Sequence, residues 1–158
     1  TVVSVGEKPA VIGDTGFIVR GTGAGTGIRT PQETPQRELF RRTFDTVEGQ
    51  QIDYANVSGD RNFIHTSNFL AKASGLPRTI LHGVCIAAMT ANALLDEVLT
   101  GNMERMEKIA MRFARPVLPG EQVTVIGYES LKKGEIIFDA VNSRGKQVLK
   151  NGTYQFKV

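Results

Sequence analysis

The chain has no tryptophan, a single cysteine, two histidines and few aromatic residues of any kind (7%). Each shortage excludes something. A lone Cys85 rules out an intramolecular disulfide, so the default setting is reducing and intracellular, with the cytoplasm as the expected compartment. Few stacking rings and scattered basic residues (Arg37, Arg41, Arg42, Lys132, Lys133, Arg144, Lys146, Lys150) argue against nucleic acid. Charge of either sign is nearly balanced, 19 basic residues against 16 acidic, for a net of +3. No charged-then-apolar leader precedes the first β-rich run, and the patterns Asn56-Val57-Ser58 and Asn151-Gly152-Thr153 lack the secretion signal that glycosylation would need.

What is present is the composition of a folded domain: 158 residues, 41% hydrophobic and 22% charged. That length supports one core and is too short for two full ones. The chain begins at Thr1 and not at methionine, which suggests a processed product or a piece of something longer. Residues 1–5 and 16–20 are β-rich and are divided by residues 6–13, with Pro9 and two glycines; a short hairpin or a pair of borrowed strands is expected. Residues 21–36 hold four glycines and two prolines and read as a linker. A phosphate-cradling loop is excluded there, because no Gly-x-Gly-x-x-Gly register fits between Gly21 and Gly27 and no Lys-Ser/Thr pair follows. The expected division is residues 1–36 as strands and linker and residues 37–158 as the main domain.

Within that domain the pattern predicts a strand over 39–45, a helix over 47–57 with Thr46 as N-cap, a turn at Ser58-Gly59-Asp60, and a short helix over 66–73 closed by Gly75 and Pro77. Residues 83–99 form the most telling element. Up to Met89 the run has no polar side chain, so a helix here is expected to be buried all round, yet it is too short and too polar in its second half to span a membrane. Strands follow over 108–113, 122–129, 135–142 and 147–158, separated by Pro119-Gly120, Lys133-Gly134 and Arg144-Gly145. The fold class is α+β: an antiparallel sheet wrapped around one long buried helix.

Chemistry is confined to few places. In the segment Ser58-Gly59-Asp60-Arg61-Asn62-Phe63-Ile64-His65 a carboxylate and an imidazole flank a short loop, and a water held between them has a base on one side and a second proton-handling group on the other. The same spacing is equally met by an Asx turn at Asp60 and a hydrogen-bonded His65 beside the next helix, and spacing alone favours that structural reading. His82 and Cys85 suggest a metal pair, but no further Cys/His cluster supplies the remaining ligands, so no metal is expected and Cys85 reads as core.

The stretch Tyr54-Ala-Asn-Val-Ser-Gly-Asp-Arg-Asn-Phe-Ile-His65 resembles the signature of the MaoC-like, (R)-specific enoyl-CoA hydratase/dehydratase family, which runs aromatic, spacer, Ser-Gly-Asp-x-Asn-Pro-hydrophobic-His. Thr79-Ile-Leu-His-Gly-Val-Cys85 is similar to that family's start of the central helix, and Arg112-Phe-Ala-Arg-Pro-Val-Leu-Pro-Gly120 to its following strand. The three motifs occur in the family's order and the resemblance covers about residues 38–158. It implies a hot-dog fold, with Asp60 and His65 as the catalytic pair and Asn62, beside Ser58 and Gly59, supporting the loop. Tyr54, Phe63 and His82 are implied as substrate contacts.

The backbone N–H of Gly83 would form the oxyanion hole, a role that suits a helix start, where free N–H groups favour developing negative charge. Gly83 equally permits close packing there. One residue departs from the pattern: Phe63 stands where the family has proline, and proline would stiffen the loop.

Residues 15–27 resemble the junction between halves of two-hot-dog members, so the chain resembles the catalytic half, and a homodimer or a partner hot-dog subunit is expected. The implied reaction is reversible hydration of trans-2-enoyl thioesters to (3R)-hydroxyacyl thioesters in fatty-acyl metabolism. No cofactor is implied beyond coenzyme A or an acyl carrier as part of the substrate; the mild positive charge suits phosphates. The alternatives are a hot-dog thioesterase and a non-catalytic acyl-binding subunit.

Overall fold

A computed structural model of the chain describes residues 2–5, 8–12 and 37–158. The chain divides into two compact units, Thr1–Pro31 and Gln32–Val158. In the first, β1 (Val2–Val5) pairs antiparallel with β2 (Lys8–Ile12). The hairpin therefore uses residues that the sequence reading gave to the divider, while its expected partner strand, 16–20, and the linker 21–36 lie outside the described residues. Pro9 sits opposite Ser4, where the register shifts between Val3 and Ser4. A proline has no N–H for a ladder and is tolerated at such an irregularity.

The second unit carries five strands: β3 (Glu38–Asp45), β4 (Met106–Phe113), β5 (Gln122–Glu129), β6 (Glu135–Asn142) and β7 (Gln147–Phe156). They form one antiparallel sheet in the order β3-β5-β6-β7-β4. β5 and β6 match the expected boundaries because each β-rich run is closed by a glycine that the turn requires: Gly134 and Gly145 both have positive φ (74° and 68°). Between β3 and β4 in sequence come α1 (Gln50–Ser58), α2 (Phe63–Thr66), α3 (Asn68–Ala73), α4 (Gly83–Leu99) and a 3₁₀ turn at Met103–Arg105.

Helix α4 has the expected boundaries and lies on the sheet. Ile86, Ala93, Leu94 and Leu99 join Val123, Val125, Phe138, Ala140, Leu149 and Tyr154 in one apolar core. Each fully buried Leu or Phe side chain is worth about 1.5–3 kcal/mol, so this layer dominates the stability of the fold. Burial is not complete on every side, however. Val84 is 63% exposed and Ala88 is also exposed, so the helix keeps an apolar stripe outside the core of the single chain.

β3, β4 and β7 differ from the expected bounds by one or two residues at one end, and two helical boundaries differ for identifiable reasons. α1 starts at Gln50 because Thr46 is buried and its hydroxyl donates to the Glu121 carbonyl (2.6 Å), leaving Gly49, at φ 88°, as the cap residue. The expected helix over 66–73 is instead two short helices, broken at Ser67, whose extended backbone lets its hydroxyl accept from the Leu70 N–H and cap α3.

Candidate active site

The loop between α1 and α2 is wound on its own polar side chains. α1 ends at Gly59 (φ 77°), whose N–H bonds the Ala55 carbonyl at 3.0 Å, a left-handed cap that favours glycine. The Ser58 hydroxyl donates to the Tyr54 carbonyl (2.7 Å) and accepts from the Asp60 N–H (3.2 Å). Asp60 Oδ1 then accepts from the Asn62 N–H (3.2 Å), and Asn62 Oδ1 from the Ile64 N–H (3.3 Å), capping α2. The Asx turn proposed as the structural reading of Asp60 is present, and it leaves the carboxylate exposed, with Oδ2 outside that bond. Thr66, which the sequence reading did not single out, closes the loop by donating to the Asn62 carbonyl (3.3 Å).

The two histidines meet. Their rings stack at 3.7 Å between centroids with 24° between planes, and the Tyr54 ring lies 4.7 Å from that of His82. His65 is 7% exposed and His82 2%. Backbone carbonyls decide both tautomers. His65 Nδ1 is 2.8 Å from the Ile80 carbonyl, which can only accept, so Nδ1 carries the hydrogen and Nε2 is left as the basic nitrogen. His82 Nε2 donates in the same way to the Asp60 carbonyl at 2.9 Å, leaving Nδ1 bare, buried and without a partner.

Burial lowers the His65 pKa below the usual histidine value; the Ile80 carbonyl and the Asp60 charge oppose this, and His82 adds to it. His65 is accordingly neutral near pH 7 and able to accept a proton. Burial also raises the Tyr54 hydroxyl pKa, so that group stays protonated.

One ligating atom from each of Asp60, His65 and His82 lies within 4.8 Å of the others. A cation would fit that spacing, but stacked rings keep their lone pairs in two nearly parallel planes 3.7 Å apart at the centroids, which disfavours convergence on one point, and each ring has already given one nitrogen to a carbonyl. The donor set suits proton handling better than tetrahedral ligation.

Beside His65 opens a cavity of about 490 Å³, lined by Ile64, Ile80, Ile86, Phe113, Leu149 and Gly83 among others. Its size and apolar walls are those of a small-molecule site. Gly83 is the first residue of α4 and no side chain caps that helix, so the amides of the first turn keep N–H groups without an intrahelical partner. One wall, residues 113–116, is exposed in the single chain. Asp60 is not part of the wall; His65 belongs to both the wall and the Asp60 cluster.

The segment carrying Ile80 and His82 is braced from three sides. Arg78 donates to both oxygens of Glu48 (2.8 and 2.9 Å) and to the Pro119 carbonyl. The Thr79 N–H bonds Asn68 Oδ1 (2.9 Å), and the Leu81 N–H bonds the Val117 carbonyl (2.9 Å). Sequence reasoning missed Arg78, Glu48 and Asn68, which have no local signature.

The residues expected at the site are thus largely brought together: Tyr54, Asp60, His65 and His82 in one cluster, Ser58, Gly59 and Asn62 in the loop that holds it, and Gly83 at the cavity. His82 is turned toward the Asp60 backbone and is not in the cavity wall. Phe63 is 47% exposed, outside that wall, as first residue of α2. That is the helix position where proline is most readily accepted, because its N–H has no intrahelical partner to lose.

A five-stranded antiparallel sheet packed on one helix, with its cavity at the helix start, places the protein among hot-dog folds. It belongs to the MaoC like domain family, whose model matches residues 28–148. The chain is 31% identical over 153 residues to 3-hydroxyacyl-thioester dehydratase Y of Mycobacterium tuberculosis, covering 90% of this chain and 52% of that protein. It is 27% identical to the structure of full-length peroxisomal multifunctional enzyme type 2 from Drosophila melanogaster, with a TM-score of 0.74 over 85% of this chain and 25% of that one. R-hydratase PhaJ1 from Pseudomonas aeruginosa is 29% identical with a TM-score of 0.62, over 78% of this chain and 80% of that one. The chain spans about half the length of the curated dehydratase it matches.

Proposed function

We propose that the protein hydrates trans-2-enoyl thioesters to the (3R)-hydroxyacyl products, and dehydrates them in reverse, within fatty-acyl metabolism. The observation that carries the reading is the position of His65: its basic Nε2 is set by the Ile80 carbonyl, it clusters with Asp60, and it lines an apolar cavity at the uncapped start of α4. Relatives named as a 3-hydroxyacyl-thioester dehydratase and an R-hydratase support the same chemistry.

In the hydration direction His65 Nε2 takes a proton from water as the oxygen adds to the β-carbon. Asp60 delivers a proton to the α-carbon on the same face, and the two proton roles can be exchanged between Asp60 and His65. The proton gained by His65 returns to Asp60 after product release, which restores the pair. Between these transfers the thioester oxygen becomes enolate-like, and the Gly83 N–H, aimed by the helix start, stabilises it. Ser58, Gly59 and Asn62 hold the loop. The scheme calls for no metal or redox cofactor; coenzyme A or an acyl carrier comes with the substrate.

A partner of the same fold completes the site, either a second copy or another hot-dog subunit. The exposed wall at 113–116, the unpaired outer edge of β4 among the described residues, and the exposed apolar stripe at Val84 and Ala88 support this. A single buried thiol suits a reducing compartment, the cytoplasm in the first instance.

The test is the loss of conjugated enoyl-CoA absorbance with wild-type, Asp60→Asn and His65→Ala proteins. Each substitution is expected to slow turnover by about 10²-fold or more. Near-wild-type turnover in both variants sinks the proposal, and free thiol released in the same reaction would favour the thioesterase.

A further inference from the structure

We propose that His82 is a positioning residue: it tethers the Asp60 loop to the start of α4 and so sets the distance between Asp60 and His65. The inference rests on the reading of Asp60 and His65 as the acid–base pair.

Hydrogen bonds within residues 54–67 wind the loop, and the far end of that span is attached to the rest of the domain at Ile80, whose N–H donates to the Ile64 carbonyl (3.1 Å) and whose carbonyl accepts from His65 Nδ1 (2.8 Å). Among the described residues, the bond from His82 Nε2 to the Asp60 carbonyl is the one through which residues 58–63 reach beyond that span. The same ring stacks on His65 at 3.7 Å, so a single rigid group fixes one member of the pair by a hydrogen bond and the other by its face. His82 cannot do this by touching substrate: it is 2% exposed and absent from the cavity wall.

Stability alone does not select an imidazole here. Its Nδ1 is buried without a partner, a cost that an apolar ring would avoid. The donor at Nε2 is what an apolar ring could not supply, and its effect falls on the placement of Asp60.

Two substitutions separate the functions of the ring. His82→Phe keeps a ring against His65 and removes the donor; His82→Gln keeps an amide donor near the Nε2 position and removes the ring. The phenylalanine variant is expected to melt within a few degrees of wild type and to lose about 10²-fold in kcat, the scale of a displaced catalytic group, with KM changed less than threefold. The glutamine variant is expected to regain at least tenfold of that loss. A folded His82→Phe protein with kcat within threefold of wild type overturns the inference, as does equal impairment of both variants.

The wild-type protein gives a check that needs neither a variant nor activity. In ¹⁵N spectra of its imidazoles, His82 must carry its proton on Nε2 with Nδ1 bare, and an Nδ1-protonated His82 overturns the tether. A wild-type protein with the Nε2 proton in place but no hydration of any enoyl thioester overturns the hydratase reading instead.

Discussion

Gly83→Ala separates the oxyanion role of Gly83 from its packing role, because the structure gives the two roles different magnitudes. Gly83 has no positive φ, so an alanine backbone is unstrained there. Its Cβ would lie 3.1–3.4 Å from three ring atoms of Phe113. That is tight, but Phe113 ends an edge strand and is half exposed, so its ring can give by a few tenths of an ångström. Against this, alanine is a better helix former than glycine by up to about 1 kcal/mol. The two effects offset, and the expected change in stability is within about ±1 kcal/mol, or a few degrees in Tm for a domain of this size.

The added methyl, however, stands beside the N–H that the thioester oxygen must approach, next to His65 in the same cavity. Loss of one such donor costs about 10²–10³ in kcat, roughly 2.7–4 kcal/mol. Differential scanning calorimetry and enoyl-CoA absorbance, read on the same preparation, are expected to show a nearly unchanged Tm with kcat lower by at least about 10². Activity within threefold of wild type at unchanged Tm refutes the oxyanion role and leaves Gly83 as a packing residue.

Phe63→Pro is expected to stabilise the fold by about 0.4–1 kcal/mol, since Asn62 already has the extended backbone (φ −52°, ψ 134°) that precedes proline and the Phe63 N–H has no intrahelical partner; a lower midpoint in denaturant would contradict this. The lowered His65 pKa makes a further prediction about pH. A histidine whose folded pKa lies below its unfolded value, about 6.5, contributes stability that is complete above that value and is lost as pH falls toward the folded pKa. Melting temperature should therefore fall between pH 7 and pH 5, less steeply in His65→Gln, and kcat/KM should keep its acid limb below 6.5; an equal slope in both proteins would remove His65 from the account.

Elements whose signals are local were legible in the sequence. The apolar run of α4 starts at Gly83, and β5 and β6 are closed by turn glycines at Gly134 and Gly145, so these ends could be read directly. The Ser58-Gly59-Asp60 turn was legible for the same reason. Contacts between distant residues were not. Thr46 was read as a cap because the residue it bonds, Glu121, lies 75 positions away. Pro9 was read as a turn, although a register shift accommodates it inside a hairpin. His65 and His82 were weighed separately, since nothing in a spacing of 17 residues announces a stacked pair; Arg78 and Glu48, 30 apart, are a similar case.

The departure at Phe63 can be weighed from the same geometry. Proline at the first position of α2 would contribute a restricted φ and remove no intrahelical bond, so its benefit is entropic and small. The order of the loop comes instead from Ser58, Asp60, Asn62 and Thr66, each bonded to a neighbouring backbone group, and from the His82 tether. None of these bonds involves the Phe63 side chain or its N–H. Because carbonyls of Ile80 and Asp60 set the histidine tautomers, the proton-accepting face of His65 is likewise independent of residue 63. A phenylalanine there leaves the pair geometry intact and places an exposed ring beside the loop, outside the cavity wall, so its effect should fall on what docks against that surface rather than on proton transfer.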